Sequence, residues 1–395
     1  MKLRLFKLFC LGVVLSLFSG CGTSQNETAY EKAETNEEAA QEEDVEEEPV
    51  LSAAEKALSE MTTDEKIYQL FFVTPEALTG EEAATTADKL KTALADCPVG
   101  GVIFFSKNLE SVEQTKALLG EVAEGSKIPL FLGIDEEGGT VSRLSELEGL
   151  AAAEMPPMAE IGATENPNRA YEAGQIIGSD LKALGFNMDF APVADVLTNP
   201  NNTEIGSRAF SSDPSVCASM AAAVIKGLHY ENIGACAKHF PGHGSTTDNS
   251  HEGKSVTNRT LEEFRSEEFV PFKAAISAGT DFVMVSHMTA ESLDGVPCSL
   301  SEKVISLLRD ELNFENIIIT DAQNMGAITG FADPAEASLM SLSAGADMVL
   351  MPLNFEASVN SVKQAVFDGT LSEEELDEKV LRILTVKEER GLLTN

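Results

Sequence analysis

The sequence predicts a (β/α)8 TIM-type barrel preceded by a signal peptide and a disordered acidic linker. Three observations carry that expectation. Eight short apolar runs alternate with longer amphipathic segments across residues 54–395. The first twenty residues have the positive start, apolar middle and small-residue ending of a secretory leader. Between these parts, residues 21–50 hold eleven Asp or Glu against one Lys.

The leader opens with Lys2, Arg4 and Lys7, and its apolar run over 8–18 is shorter than the roughly 20 residues a spanning helix needs. Ser19-Gly20-Cys21 closes it. The stretch 21–53 that follows has too little apolar surface to offset its ordering entropy, so an extended, self-repelling spacer is expected.

The eight expected strands lie at 67–73, 101–106, 129–135, 186–196, 233–240, 282–288, 316–321 and 347–351. Gly-Val-Ile-Phe-Phe from Gly101 and Ile-Ile-Ile-Thr from Ile317 are continuous apolar runs, as in parallel strands covered on both faces. Helices are expected over 112–123, 301–312 and 372–390. In the second, Ser301 is the N-cap, and Val304, Ile305, Leu308 and Leu312 recur at helical spacing. The third carries Leu376, Val380, Ile383 and Leu384 on one face, with Gly391 as its stop. Eight strands suit either a closed barrel or an open sheet. Asp135, Asp195, Lys238, His239, His287 and Asp321 all fall at carboxyl ends of expected strands, which favours the barrel, where those ends surround one pocket.

A net charge of −37 excludes a nucleic-acid partner, which calls for a basic face. Of six cysteines, Cys10 lies in the leader and Cys21 at its end. Cys97, Cys217, Cys236 and Cys298 have neither zinc nor disulfide-framework spacing and read as small core residues.

Three segments carry candidate chemistry. Residues 133–144 bring Asp135, Glu136 and Glu137 off a buried strand, followed by two glycines and Arg143. Residues 238–251 hold Lys238 and three of the chain's five histidines, His239, His243 and His251. His243, Asp248 and His251 could ligate a metal, but the leading lysine and irregular spacing favour another use. The third segment, 318–325, ends an apolar strand with Asp321, a carboxylate costly to bury without a partner.

With the supporting segments 60–67, 189–196, 205–210 and 286–288, these residues resemble the catalytic barrel of family 3 glycoside hydrolases. The likeness is strongest to the bacterial β-N-acetylglucosaminidases (β-N-acetylhexosaminidases) and covers about residues 58–393. It implies that Asp321 is the nucleophile of a retaining hydrolysis and that His251 is the acid/base. Asp135, Arg143, Arg208, Lys238 and His239 fall on the family's sugar-binding positions. Asn249 stands where the family places the aspartate that orients the histidine, and Ser245 replaces another loop aspartate. An asparagine can accept a hydrogen bond from the ring but cannot stabilise its charge.

The implied substrate is a carbohydrate bearing terminal β-linked N-acetylglucosamine, in cell-wall fragments or amino-sugar oligosaccharides, with no metal or organic cofactor. A β-glucosidase/β-xylosidase-type or phosphorolytic enzyme is the alternative within the family. A weakly active sugar-binding surface lipoprotein is the alternative of another class, supported by Asn249. Ser-Gly-Cys resembles a bacterial lipobox, although Phe18 departs from it. Lipidation at Cys21 would anchor the chain outside the bacterial cell membrane. The sequence sets no oligomeric state.

Overall fold

The computed structural model of the chain describes residues 51–150, 155–246 and 253–394. Eight parallel strands close in sequence order into one barrel. They are β1 (Phe71–Val73), β2 (Gly101–Ile103), β3 (Phe131–Ile134), β4 (Met188–Asp189), β5 (Gly234–Phe240), β6 (Phe282–Val285), β7 (Ile317–Ala322) and β8 (Met348–Leu350). β8 pairs with β1, Phe71 opposite Val349, and completes the ring. Each expected run thus contributes one strand, and apart from the polar end of β7 the strands are buried throughout, as the apolar runs require.

All the strands but β7 are shorter than their runs, and for two the reason is identifiable. Residues 67–69 belong to the helix Thr63–Gln69, started by a reciprocal cap between Thr62 and Glu65, so only Phe71–Val73 enters the barrel. In the fourth run the ladder covers Met188–Asp189 alone, and Val193 returns as a single bridge to Lys238. Pro192, within that run, has no N–H to give a ladder. The expected helix over 301–312 is α-helical at Glu302–Ser306 and becomes a wider π-turn at Leu307–Glu311. The final helix, Glu373–Glu389, is capped by Ser372 and Glu375. It packs beside the first helix, Ala53–Glu60, whose Ala53 and Ala54 N–H groups donate to the Glu388 carboxylate.

Inside the barrel, Phe72 meets Phe190 edge to face at 5.0 Å. Gly101 and Gly133 make room for it, since a Cβ at either would lie within 2.7 Å of its ring. At the amino ends of the strands, two fully buried aspartates act as latches. Asp281 accepts from Ala235 N–H and pairs with His229 and Arg390. Asp347 accepts from Ile318 N–H and pairs with Arg309 and Arg382.

Candidate active site

At the carboxyl ends of the strands lies a cleft of about 290 Å³. Its lining includes Asp135 and Arg143 from the loop after β3, Arg208 after β4, Lys238 and His239 from β5, and Asp321 from β7. The structure therefore brings six of the candidate residues to one place. His251 and Asn249, and also Asp248, lie outside the described residues, as does Cys21. Ser245 is described, and its hydroxyl donates to Thr257 Oγ1 at 2.9 Å.

The charged wall is a lattice built on Lys238 and Glu137. The Lys238 ammonium, almost fully buried, donates to Asp135 Oδ1 and to Glu137 Oε1, both at 2.7 Å. Arg208 grips the two Glu137 oxygens with Nε and Nη2, each at 2.8 Å, a bidentate geometry that fixes the guanidinium plane. Burial opposes the charge on Glu137, but Lys238 and Arg208 outweigh it and hold the carboxyl well below the usual range. Burial likewise disfavours the Lys238 cation, and Asp135 and Glu137 reverse that, raising its pKa. The cleft consequently presents fixed cations and a carboxylate at neutral pH, groups whose chemistry suits hydrogen bonding to a polar ligand.

His239 is fixed at both ring nitrogens. Its Nδ1 lies 2.7 Å from Asp195 Oδ2, and its Nε2 lies 3.4 Å from Arg208 Nη2. A carboxylate only accepts, so Nδ1–H donates to Asp195. Asp195 also accepts from the His243 N–H at 2.6 Å, tying the start of the histidine-bearing loop to the end of the fourth run. Burial works against the Asp195 anion, yet the neighbouring histidines keep its pKa lowered. His243 itself is buried, with Nδ1 3.1 Å from Thr246 Oγ1 and Nε2 3.8 Å from Glu204, and burial lowers its pKa.

Asp321 ends β7 facing this lattice. Its Oδ1 accepts from the Ala322 N–H at 2.7 Å. Burial raises its pKa, but His239, His287, the Ala322 N–H and Lys238 together bring it below the ordinary value. A carboxylate so held is anionic at neutral pH and able to attack an electrophilic carbon in the cleft.

Three participants had no assigned role in the sequence. Glu137 stands in the quoted 133–144 segment, but only its partners show it to be the hub of the lattice. Asp195 and His287 were visible as polar ends of apolar runs, whereas their bonds to His239 and to the Asp321 strand join distant parts of the chain.

The family model for the glycosyl hydrolase family 3 N-terminal domain matches residues 62–386. The chain is 30% identical over 334 residues to a β-hexosaminidase A of Pseudoalteromonas piscicida, covering 77% of this chain and 55% of that protein. It is 36% identical over 265 residues to a β-hexosaminidase of Xylella fastidiosa, covering 65% of this chain and 77% of that one. A solved family 3 β-N-acetylglucosaminidase from Paenibacillus sp. superposes with a TM-score of 0.77 at 34% identity, covering 84% of this chain and 63% of the other. The chain thus spans little more than half the length of the Pseudoalteromonas relative.

Proposed function

The chain belongs to glycosyl hydrolase family 3, and from that premise we propose that it is an O-glycosyl hydrolase, a retaining β-N-acetylhexosaminidase. Its substrates are cell-wall fragments or amino-sugar oligosaccharides ending in β-linked N-acetylglucosamine. The observation that carries this reading is Asp321, an anionic carboxylate at the end of β7 facing the Lys238–Glu137–Arg208 lattice and His239.

In the proposed reaction the lattice holds the sugar hydroxyls, and an Asp321 oxygen attacks the anomeric carbon. The glycosidic C–O bond breaks while His251 gives its proton to the departing oxygen. A glycosyl ester of Asp321 remains. His251 then removes a proton from water, the water oxygen bonds to the anomeric carbon, and the Asp321 carboxylate leaves with its electron pair. Attack twice at one carbon retains the β configuration. Asn249, unlike the aspartate of the family pattern, supplies no negative charge to support an imidazolium at His251. We further propose that lipid on Cys21 and the acidic spacer hold the barrel on the outer side of the cell membrane.

The test is turnover of an aryl N-acetyl-β-glucosaminide and of an aryl β-glucoside from pH 5 to 8, with and without phosphate. Asp321→Ala should abolish release of the aryl group. Asn249→Asp should raise the rate and move the alkaline limb upward, because the added carboxylate favours the charged imidazole. Faster turnover of the glucoside would overturn the choice of sugar, and phosphate-dependent glycosyl phosphate would overturn hydrolysis. Binding of the sugar without turnover in the wild type, with activity only in Asn249→Asp, would mark a sugar-binding protein instead.

A further inference from the structure

Behind Asp321 a series of hydrogen bonds runs away from the cleft, and none of its members takes part in the transfer just described. The β6–β7 ladder runs from Phe282 opposite Ile317 to Val285 opposite Thr320. Beyond it a side chain takes over: His287 Nε2 lies 3.0 Å from the Ala322 carbonyl oxygen. The same Ala322 donates its N–H to Asp321 Oδ1 at 2.7 Å. On the far side of the ring, His287 Nδ1 lies 2.7 Å from Ser299 Oγ. Ser299 is itself fixed by its N–H, which donates to the Ser286 carbonyl at 3.0 Å.

The protons in this series follow from the partners. A carbonyl only accepts, so Nε2 carries the hydrogen, and Nδ1 of the neutral ring accepts from the Ser299 hydroxyl. Burial lowers the His287 pKa, which favours the neutral ring and with it this tautomer. Ala322 is thereby gripped on the carbonyl that follows its own N–H. That N–H commits one Asp321 oxygen and sets the rotation of the carboxylate.

We propose that His287, locked in its tautomer by Ser299, is a positioning residue for the nucleophile, holding the Ala322 backbone that aims the Asp321 carboxylate into the cleft. The inference rests on Asp321 being the nucleophile. A misaligned nucleophile lowers the rate of bond formation while leaving sugar contacts on the opposite wall in place. The expected signature is therefore a loss in kcat with KM preserved.

The experiment compares the full chain with His287→Ala, His287→Gln and Ser299→Ala on both aryl glycosides, with Asp321→Ala alongside and folding monitored by circular dichroism. His287→Ala should lower kcat by about 10²-fold with KM changed by no more than about 3-fold. His287→Gln, whose amide N–H can reach the Ala322 carbonyl, should recover most of that loss. Ser299→Ala, which releases the tautomer, should fall between them.

The acid limb of kcat/KM should also move upward in His287→Ala, because a less well-held Asp321 anion is easier to protonate. Among the described residues, the charged and titratable groups facing Asp321 besides His287 are Asp135, Glu137 and Arg143 after β3, Glu204 and Arg208 after β4, Lys238 and His239 from β5, and His243 in the turn after it. All are unchanged in these variants. Folded His287→Ala and Ser299→Ala variants with wild-type kcat and acid limb, or losses confined to KM, would overturn the proposal. Persistent turnover by Asp321→Ala would instead overturn the nucleophile assignment on which it rests.

Discussion

At the scale of single residues, the site depends on charges that are costly alone and tolerable together. Glu137 is buried with two cations on its two oxygens, and removing its charge leaves Arg208 without its carboxylate and Lys238 with Asp135 alone. Glu137→Gln should therefore destabilise the fold by about 3–5 kcal/mol. Denaturant titration at pH 7 measures that, and a rise in KM should accompany it as the cations proposed to bind the sugar lose their anchor. The pH dependence has a definite sign. The folded pKa of Glu137 lies below its unfolded value, so its contribution is complete above the unfolded carboxylate range and disappears as pH falls through the lower folded value. The variant should show a shallower loss of stability on acidification than the wild type. Sequence alone exposed Asp135, Lys238, His239 and Asp321, because a polar residue ending an apolar strand has no packing reason to be there. It could not expose the grip of Arg208 on Glu137, made across 71 positions of chain. Spacing along a chain carries no information about a partner chosen by folding. For the same reason His287 could be placed at a strand end, while its bond to the Ala322 carbonyl could not.

At the scale of elements, the eight strands were legible because each is buried on both faces and so reads as an unbroken apolar run. The same property blurs their ends. An apolar run cannot by itself distinguish a buried helical turn from a strand, which is why residues 67–69 pass for strand although Thr62 and Glu65 had already set a helix. The latches at the amino ends of the strands escaped notice, since Asp347 looks like an ordinary polar residue before an apolar run. Yet it joins β8 to β7 through the Ile318 N–H and to two arginines, one preceding β7 and one on the final helix. Asp347→Asn keeps the shape and removes the charge both arginines share. We expect it to cost about 3–5 kcal/mol and to lower the unfolding temperature in calorimetry. kcat and KM at 20 °C should remain near wild type, because the cleft lies at the opposite ends of the strands. A comparable loss of kcat in the folded variant would show that the two ends are coupled.

At the scale of the whole molecule, the net charge of −37 makes the compact state self-repelling. Against that acidic background one lysine among the described residues is buried with no exposed surface. Lys387, on the final helix, sends its amine to Gln69 Oε1 at 2.6 Å and lies 5.2 Å from the centroid of Phe131. Burial pushes its pKa down from 10.5 to about 7. The unfolded chain therefore binds one more proton than the folded chain between those values, and stability should rise with pH across this window. The slope contributed is at most about 1.4 kcal/mol per pH unit, flattening below about pH 7 and above about pH 10. Lys387→Met removes the titrating group while nearly preserving chain length, although it leaves Gln69 Oε1 without the amine. That lost bond makes the absolute change in stability a poor measure, whereas the slope is not affected by it. Urea unfolding at pH 7, 8 and 9 should give a wild type that gains stability relative to Lys387→Met at each step. Lysines and cysteines common to both chains cancel in that difference. Parallel lines for the two proteins would mean that Lys387 stays protonated in the fold, and that the Phe131 ring and Gln69 suffice to hold a charge at the base of the barrel.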